Sequence, residues 1–256
     1  ADDDVDEKIE LFIGSLNFDF SDSKISGTGS DPKMQVRDFS FAPDNRSIAF
    51  TADRDVDEQV ELWLTDLEFS NGSVKSLSGK SQGGKGAQTI QPTKLNFPVP
   101  AGDDISEFGY SPTSREVVFI ANNADLGDDQ LYVNRFRDGG SIDLLSTTTP
   151  RYPVEDFRFT PDGRCVVYRA ETDPGKGITS DRDELFIVPL DGSEDPQLLT
   201  LDLPSPASSY TVRDFKISPA GNYIAYLFAE VGQSTELLGS TSLASGTSNP
   251  LKYEKG

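Results

Sequence analysis

The chain of 256 residues contains no histidine and only one cysteine, one tryptophan and one methionine. Without imidazole, neither a Ser-His-Asp nor a Cys-His catalytic set can be assembled from it. The same absence excludes His-ligated zinc and the two-His-one-carboxylate iron site. A single thiol, Cys165, leaves no internal disulfide and no thiolate cluster. It opens the apolar run Cys165-Val166-Val167 and reads as a structural thiol. No apolar run is long enough to span a bilayer, and no charged-apolar-small leader is read at the start. P-loop and GxGxxG motifs are missing; Gly83-Gly84-Lys85-Gly86 is a polar run, not a phosphate cradle. Catalysis by this chain would have to rest on carboxylates, hydroxyls and lysines.

Positive charge is also scarce. Lys and Arg number 23 against 43 Asp and Glu, giving a net charge of −20. Nucleic acid and anionic membrane surfaces need basic surface, so neither is the expected partner. The balance favours solubility in salt, divalent cations or a basic partner. If it folds as one unit, a chain of this length buries roughly three quarters of its unfolded surface.

What is present is a repeat. Val36–Phe50 (VRDFSFAPDNRSIAF) returns as Ile105–Phe119, Val154–Tyr168 and Val212–Tyr226. Each copy reads as two strands of period two joined by a tight turn opened by proline. An acidic loop and a third strand follow, marked by Glu61-Leu62-Trp63, Gln130-Leu131-Tyr132, Glu184-Leu185-Phe186 and a weaker Glu236-Leu237-Leu238. A fainter fourth strand closes the unit, as at Ile142–Ser146 and Gln197–Thr200. The turn prolines lie 69, 49 and 58 residues apart, and no helical period persists, so the unit is a four-stranded meander.

Residues 1–16 (ADDDVDEKIELFIGSL) align without gaps on 52–67 (ADRDVDEQVELWLTDL). The chain therefore opens inside a blade, before its third strand. The expected fold is all-β: a β-propeller, or an incomplete arc of one, of four-stranded antiparallel blades. A half blade at 1–33 precedes blades at about 34–102, 103–151, 152–209 and 210–256 of a single domain. In the first long insertion, Val74–Leu77 reads as the fourth strand, followed by a Gly/Ser/Lys surface loop with Lys80 and Lys85. In the last repeat, Thr235–Leu243 reads as the third strand and Pro250–Glu254 as a fourth. The half blade then lacks a partner within the chain, and an unpaired apolar edge is a template for association. It is resolved by a longer propeller, by departure of the last repeat's weak strands, or by strand addition from another chain.

The frame Phe159-Thr160-Pro161-Asp162-Gly163-Arg164, then Asp181-Arg182-Asp183-Glu184-Leu185-Phe186 and Leu190-Asp191-Gly192, resembles the TolB-like β-propeller repeat. The resemblance implies a secreted, periplasmic or cell-surface location and a binding role. The same blades form the propeller that gates prolyl-oligopeptidase-like enzymes.

Two sets of acids are candidate sites. Asp53, Asp55 and Asp57 alternate, as do Asp2, Asp4 and Asp6. Alternate carboxylates suit calcium, a hard cation wanting six to eight oxygens. The EF-hand glycine and its final Glu are replaced by Glu58 and Leu64, and by Glu7 and Ile13. The competing reading is that these side chains cap turns. The second set is Asp38, Glu107, Asp156 and Asp214, one per first strand, which would share a level in the central channel if that strand is innermost. There they would repel unless a cation sits among them. Alternatively each pairs locally with Arg46, Arg115 or Arg164. The aromatic residues of the frame read as core between blades.

The expected function is non-catalytic: a protein-binding or assembly module, self-association through the incomplete blade included. The alternative is the propeller domain of a larger hydrolase, or a carboxylate-based hydrolase acting in the channel.

Overall fold

The computed structural model describes residues 8–14, 23–27, 34–70, 73–76, 91–100, 103–122, 128–146, 153–172, 182–200, 210–230 and 232–243. The chain divides into two compact units, Ala1–Asp125 with Asn134–Ile142, and Leu126–Val133 with Asp143–Gly256. Apart from one turn of 3₁₀ helix, Phe136–Asp138, the regular elements among the described residues are strands.

A two-stranded sheet comes first, β1 (Phe12–Ile13) with β2 (Ser23–Lys24). The next sheet holds β3 (Val36–Phe41), β4 (Ser47–Ala52), β5 (Glu61–Ser70), β6 (Ser73–Ser76) and β7 (Thr93–Lys94). A third runs through β8 (Ile105–Tyr110), β9 (Val117–Asn122), β10 (Asp129–Arg135) and β11 (Ser141–Leu144), and contributes to both units. A fourth holds β12 (Val154–Phe159), β13 (Cys165–Thr172), β14 (Arg182–Pro189) and β15 (Gln197–Leu198). The last has β16 (Tyr210–Ile217), β17 (Tyr223–Glu230) and β18 (Glu236–Ser242). These are the meanders the repeat predicts: a half blade, then four sheets opened by the four copies. The fourth strand expected at Pro250–Glu254 lies outside the described residues.

The hairpin turns explain the repeat's punctuation. Proline sets φ at the second turn position, and the residue two further on adopts the left-handed conformation: Asn45 (φ 58°), Ser114 (60°), Gly163 (68°) and Gly221 (72°). The amide of that residue donates back across the turn, as Gly163 N–H to Thr160 C=O at 2.9 Å. Asp44 and Asp162 add a side-chain bond, accepting from the amides of Arg46 and Arg164 at 2.9 and 3.1 Å.

The cores lie where sheet faces meet within each unit. In the first unit Leu11, Ile13 and Ile25 of the half blade pack with Ile48, Phe50 and Trp63 of the next sheet. In the second, Val167, Leu185 and Leu199 pack with Val212, Phe215, Ile224 and Phe228. The aromatic and apolar residues of the frame are core in this sense, with the exceptions described below.

Two sequence registers need correction. The fourth strand of the first full sheet is β7, not Val74–Leu77. Trp63 pairs with Lys94 in that sheet as Phe12 pairs with Lys24 in the half blade. The segment around Val74 instead forms β6, a hairpin on the far end of β5 in which Phe69 pairs with Val74. In the last sheet Tyr226 pairs with Gly239, whereas Phe50 pairs with Trp63 and Tyr168 with Phe186. Leu237-Leu238-Gly239, not Glu236-Leu237-Leu238, therefore fills the third-strand frame.

Candidate functional site

The half blade is built like its full counterparts. In the three other sheets with a described fourth strand, and in the half blade itself, the third strand is held to the fourth by the same pair of bonds. Leu11 C=O accepts from Ile25 N–H at 2.9 Å, as Leu62 does from Leu95, Leu131 from Leu145 and Leu185 from Leu199 at 2.8 Å. The amide of the same leucine donates to a side-chain oxygen one residue on: Ser26 Oγ at 3.2 Å, Asn96 Oδ1 at 2.9 Å, Ser146 Oγ at 3.2 Å and Thr200 Oγ1 at 3.3 Å. All four of these polar residues are buried. Sequence reasoning missed them, although Ile25-Ser26, Leu95-Asn96, Leu145-Ser146 and Leu199-Thr200 repeat an apolar–polar pair in the sequence.

Its attachment to the following sheet is also standard. Val36 N–H donates to Ile9 C=O at 3.0 Å, and the equivalent Ile105 N–H donates to Val60 C=O at 3.1 Å. An ion pair recurs too. Lys24 reaches Glu10, and Lys94 reaches Glu61 at 2.5 Å. The Lys24 ammonium beside Glu10 outweighs its burial and holds that carboxyl below the usual range.

What differs is the covering. Phe12 is 52% exposed, while its counterparts Trp63, Tyr132 and Phe186 are each 7% exposed or less. Phe186 stacks on Tyr168 of the strand beside it, with ring centroids 5.3 Å apart and planes 15° from parallel. Phe12 has no such strand among the described residues. The second exposed position is on β3. Phe39 is 55% exposed, whereas Phe215, at the same frame position, is 1% exposed. Phe215 is covered by the preceding sheet, with the Arg158 guanidinium 5.6 Å from its ring. Phe41 is exposed as well. Phe12, Phe39 and Phe41 are thus exposed aromatic residues of the frame.

The sequence-selected acids are placed differently. In every first strand a register shift immediately precedes the acid: Val36/Asp38, Ile105/Glu107, Val154/Asp156 and Val212/Asp214. The extra residue is a β-bulge, and it breaks the two-residue alternation. Asp38 and Asp214 accept from the next amide, Phe39 and Phe215, at 2.8 Å each. Asp156 lies 3.3 Å from Arg169 on the neighbouring strand, and the same guanidinium bonds Asp183 at 2.7 Å. Burial raises the Asp183 carboxyl, against the pull of Arg169. Asp156 is thus paired with Arg169 and not with the turn arginine Arg164. Arg115 pairs with Asp138 at 2.5 Å and Arg164 lies 3.9 Å from Asp162.

Asp2, Asp4 and Asp6 lie outside the described residues. Asp53 is buried; it accepts from Gln35 N–H and lies 3.8 Å from Arg37. Asp55 faces Arg54 at 3.5 Å and Lys94 at 3.8 Å, and Asp57 is exposed. No group of three or more metal-ligating side chains that could hold an ion occurs among the described residues. Cys165 is half-buried, and burial pushes its thiol up.

No protein-family model and no curated protein matches the chain. Solved structures do. A structure of the tricorn protease superposes with a TM-score of 0.54 at 10% identity, over 88% of this chain and 19% of that one. The fold is that of β-propeller blades. This chain therefore spans about a fifth of that protein, and the likeness is one of fold alone. A puromycin hydrolase follows at 0.48 and 17% identity, covering 78% of this chain and 29% of that one. An oligogalacturonate lyase in complex with manganese aligns at 0.46 and 10%, over 98% and 74%. Among the described residues, no helix is long and apolar enough to cross a membrane.

Proposed function

We propose that this chain is a non-catalytic, protein-binding propeller module, acting outside the cytoplasm, that engages its partner through the N-terminal half blade. The observation that carries the reading is Phe12, a frame aromatic left open where its counterparts are sealed. An aromatic residue at the edge of a two-stranded sheet supplies both apolar area and backbone groups, the two things strand addition uses. The absence of histidine, and with it of Ser-His-Asp and Cys-His catalysis, supports a non-catalytic role for this chain. The TolB-like repeat frame supports the location. The test is a photo-cross-linker placed at position 12, with the exposed Arg164 position as control, in extract of the native compartment. The expected result is a discrete protein adduct from position 12 that the Phe39→Asp substitution abolishes. The same adducts from both positions would count against it.

A further inference from the structure

We infer that Asn45, at the tip of the β3–β4 hairpin, is the acceptor of an N-linked oligosaccharide, and that the sugar is attached before this hairpin closes. The inference rests on the location outside the cytoplasm proposed above, where an Asn-x-Ser tripeptide meets that chemistry.

The tripeptide is Asn45-Arg46-Ser47, with a residue other than proline between acceptor and hydroxyl. Asn45 is exposed, as are Pro43, Asp44 and Arg46 around it, so the tip has room for a bulky hydrated group. The side-chain bond that braces this turn comes from Asp44, whose carboxylate accepts from Arg46 N–H at 2.9 Å. The left-handed backbone at Asn45, φ 58°, is met by glycine at the equivalent Gly163 and Gly221. Nothing in the turn geometry therefore calls for asparagine in particular. The equivalent tripeptides Ser114-Arg115-Glu116, Gly163-Arg164-Cys165 and Gly221-Asn222-Tyr223 carry no acceptor pair. The chemistry is confined to one of four hairpins built alike.

Ser47 sets the order of events. A transferase must hold the acceptor amide and the hydroxyl two residues on at the same time. In the folded hairpin Ser47 is fully buried, and its hydroxyl shares a 3.0 Å hydrogen bond with the Tyr110 hydroxyl of β8. The backbone is closed as well. Asn45 N–H donates to Ala42 C=O and Ala42 N–H to Ser47 C=O, at 2.9 Å each. The tripeptide is readable only before β4 pairs with β3 and meets Tyr110. The co-reactant is an oligosaccharide carried on a lipid diphosphate. Asn45 Nδ2 bonds to the anomeric carbon, and the bond from that carbon to the diphosphate oxygen breaks. The lipid diphosphate leaves, and the amide nitrogen gives up one proton to solvent. Folding then buries Ser47 and leaves the sugar on the exposed tip.

The test is mass spectrometry of the tryptic peptide Asp38–Arg46 from the protein isolated from its native compartment. It is digested with and without an amidase that releases N-linked glycans, in heavy-oxygen water. The expected result is loss of the unmodified peptide before release. After release the peptide should return with Asn45 converted to a heavy-labelled aspartate. Asn45→Gly should still fold cooperatively, as Gly163 and Gly221 do in the same turn, and its intact mass should fall by one glycan. A second arm offers the peptide Val36–Ala52, or the folded protein made without glycosylation, to purified transferase with its lipid-linked oligosaccharide. The peptide should be modified and Asn45 of the folded protein should not. Modification of both at equal rates would overturn the stated order, and refusal of the peptide would overturn the site whatever the location. An unmodified Asn45 in protein recovered from outside the cytoplasm would overturn the inference and leave the location standing. Protein found only inside the cytoplasm would sink the location, and this inference with it.

Discussion

Tyr226 lies across Gly239 so closely that a Cβ on the glycine would sit 2.5 Å from Tyr Cε2 and 2.6 Å from Cζ. The two are cross-strand partners at a position where two of the other sheets pair aromatics, Phe50 with Trp63 and Tyr168 with Phe186. A tyrosine ring here covers a strand glycine, the arrangement that offsets glycine's poor strand propensity. Gly239→Ala should destabilise the protein by about 1–3 kcal/mol, as overpacking does. Adding Tyr226→Leu should recover part of the loss. Urea unfolding of the two variants and the parent checks both.

The side chains that receive the leucine amides should each matter. Ser146→Ala strips a buried acceptor from Leu131 N–H and a 2.7 Å bond from Gln130 Oε1. Thr200→Val strips the acceptor from Leu185 N–H. A buried donor left without a partner costs about 1–3 kcal/mol. Each variant should lose that much by chemical denaturation, and Ser146→Thr should lose less.

Equivalent positions should respond oppositely to truncation. Phe12→Ser and Phe39→Ser remove exposed rings and should change stability by no more than about 0.5 kcal/mol. Trp63→Ala and Phe215→Ala empty sealed sites and should cost about 3–5 kcal/mol. Thermal and urea unfolding distinguish the two classes. The first pair should also reduce binding of a hydrophobic dye by the native protein.

Asp53 should act as a structural carboxylate. It is buried against Gln35 N–H with Arg37 nearby, so Asp53→Ala should lose about 1–3 kcal/mol. The loss should be the same with calcium and with a chelator. Asp57→Ala, at an exposed position, should be near neutral.

Tyr110 sets an alkaline limit. Its hydroxyl is buried, which raises its pKa despite the 3.0 Å bond with Ser47. The unfolded chain releases this proton near pH 10, while the folded one keeps it. The folded state therefore binds more protons above pH 10, and stability falls as pH rises there. The slope from one such proton is at most about 1.4 kcal/mol per pH unit. Tyr110→Phe should flatten the alkaline decline in urea midpoint. Absorbance titration should show fewer tyrosines ionising in the native protein than in urea, and the difference should shrink in Tyr110→Phe.

The repeat was legible because blade-making is local chemistry. Proline followed by a residue that tolerates positive φ fixes the turn at Asn45, Ser114, Gly163 and Gly221, and alternation fixes the strands on either side. The half blade was legible for the same reason, since residues 1–16 match 52–67 in register. The short fourth strands were less so. β7 and β15 are two residues each, so their identity comes from the buried acceptor after them rather than from any period.

By itself, then, the sequence determined the repeated hairpin that opens each sheet, the turn chemistry, and the absence of imidazole and paired thiols. Only the tertiary structure decided which equivalent residues are sealed. Phe12 and Trp63, or Phe39 and Phe215, are interchangeable as letters in the frame. Their fates diverge because burial depends on the strand beside and the sheet opposite, and a one-dimensional pattern carries neither. The same holds for the acids. The bulge before Asp38, Glu107, Asp156 and Asp214 redirects each side chain, and a strict two-residue alternation cannot express it.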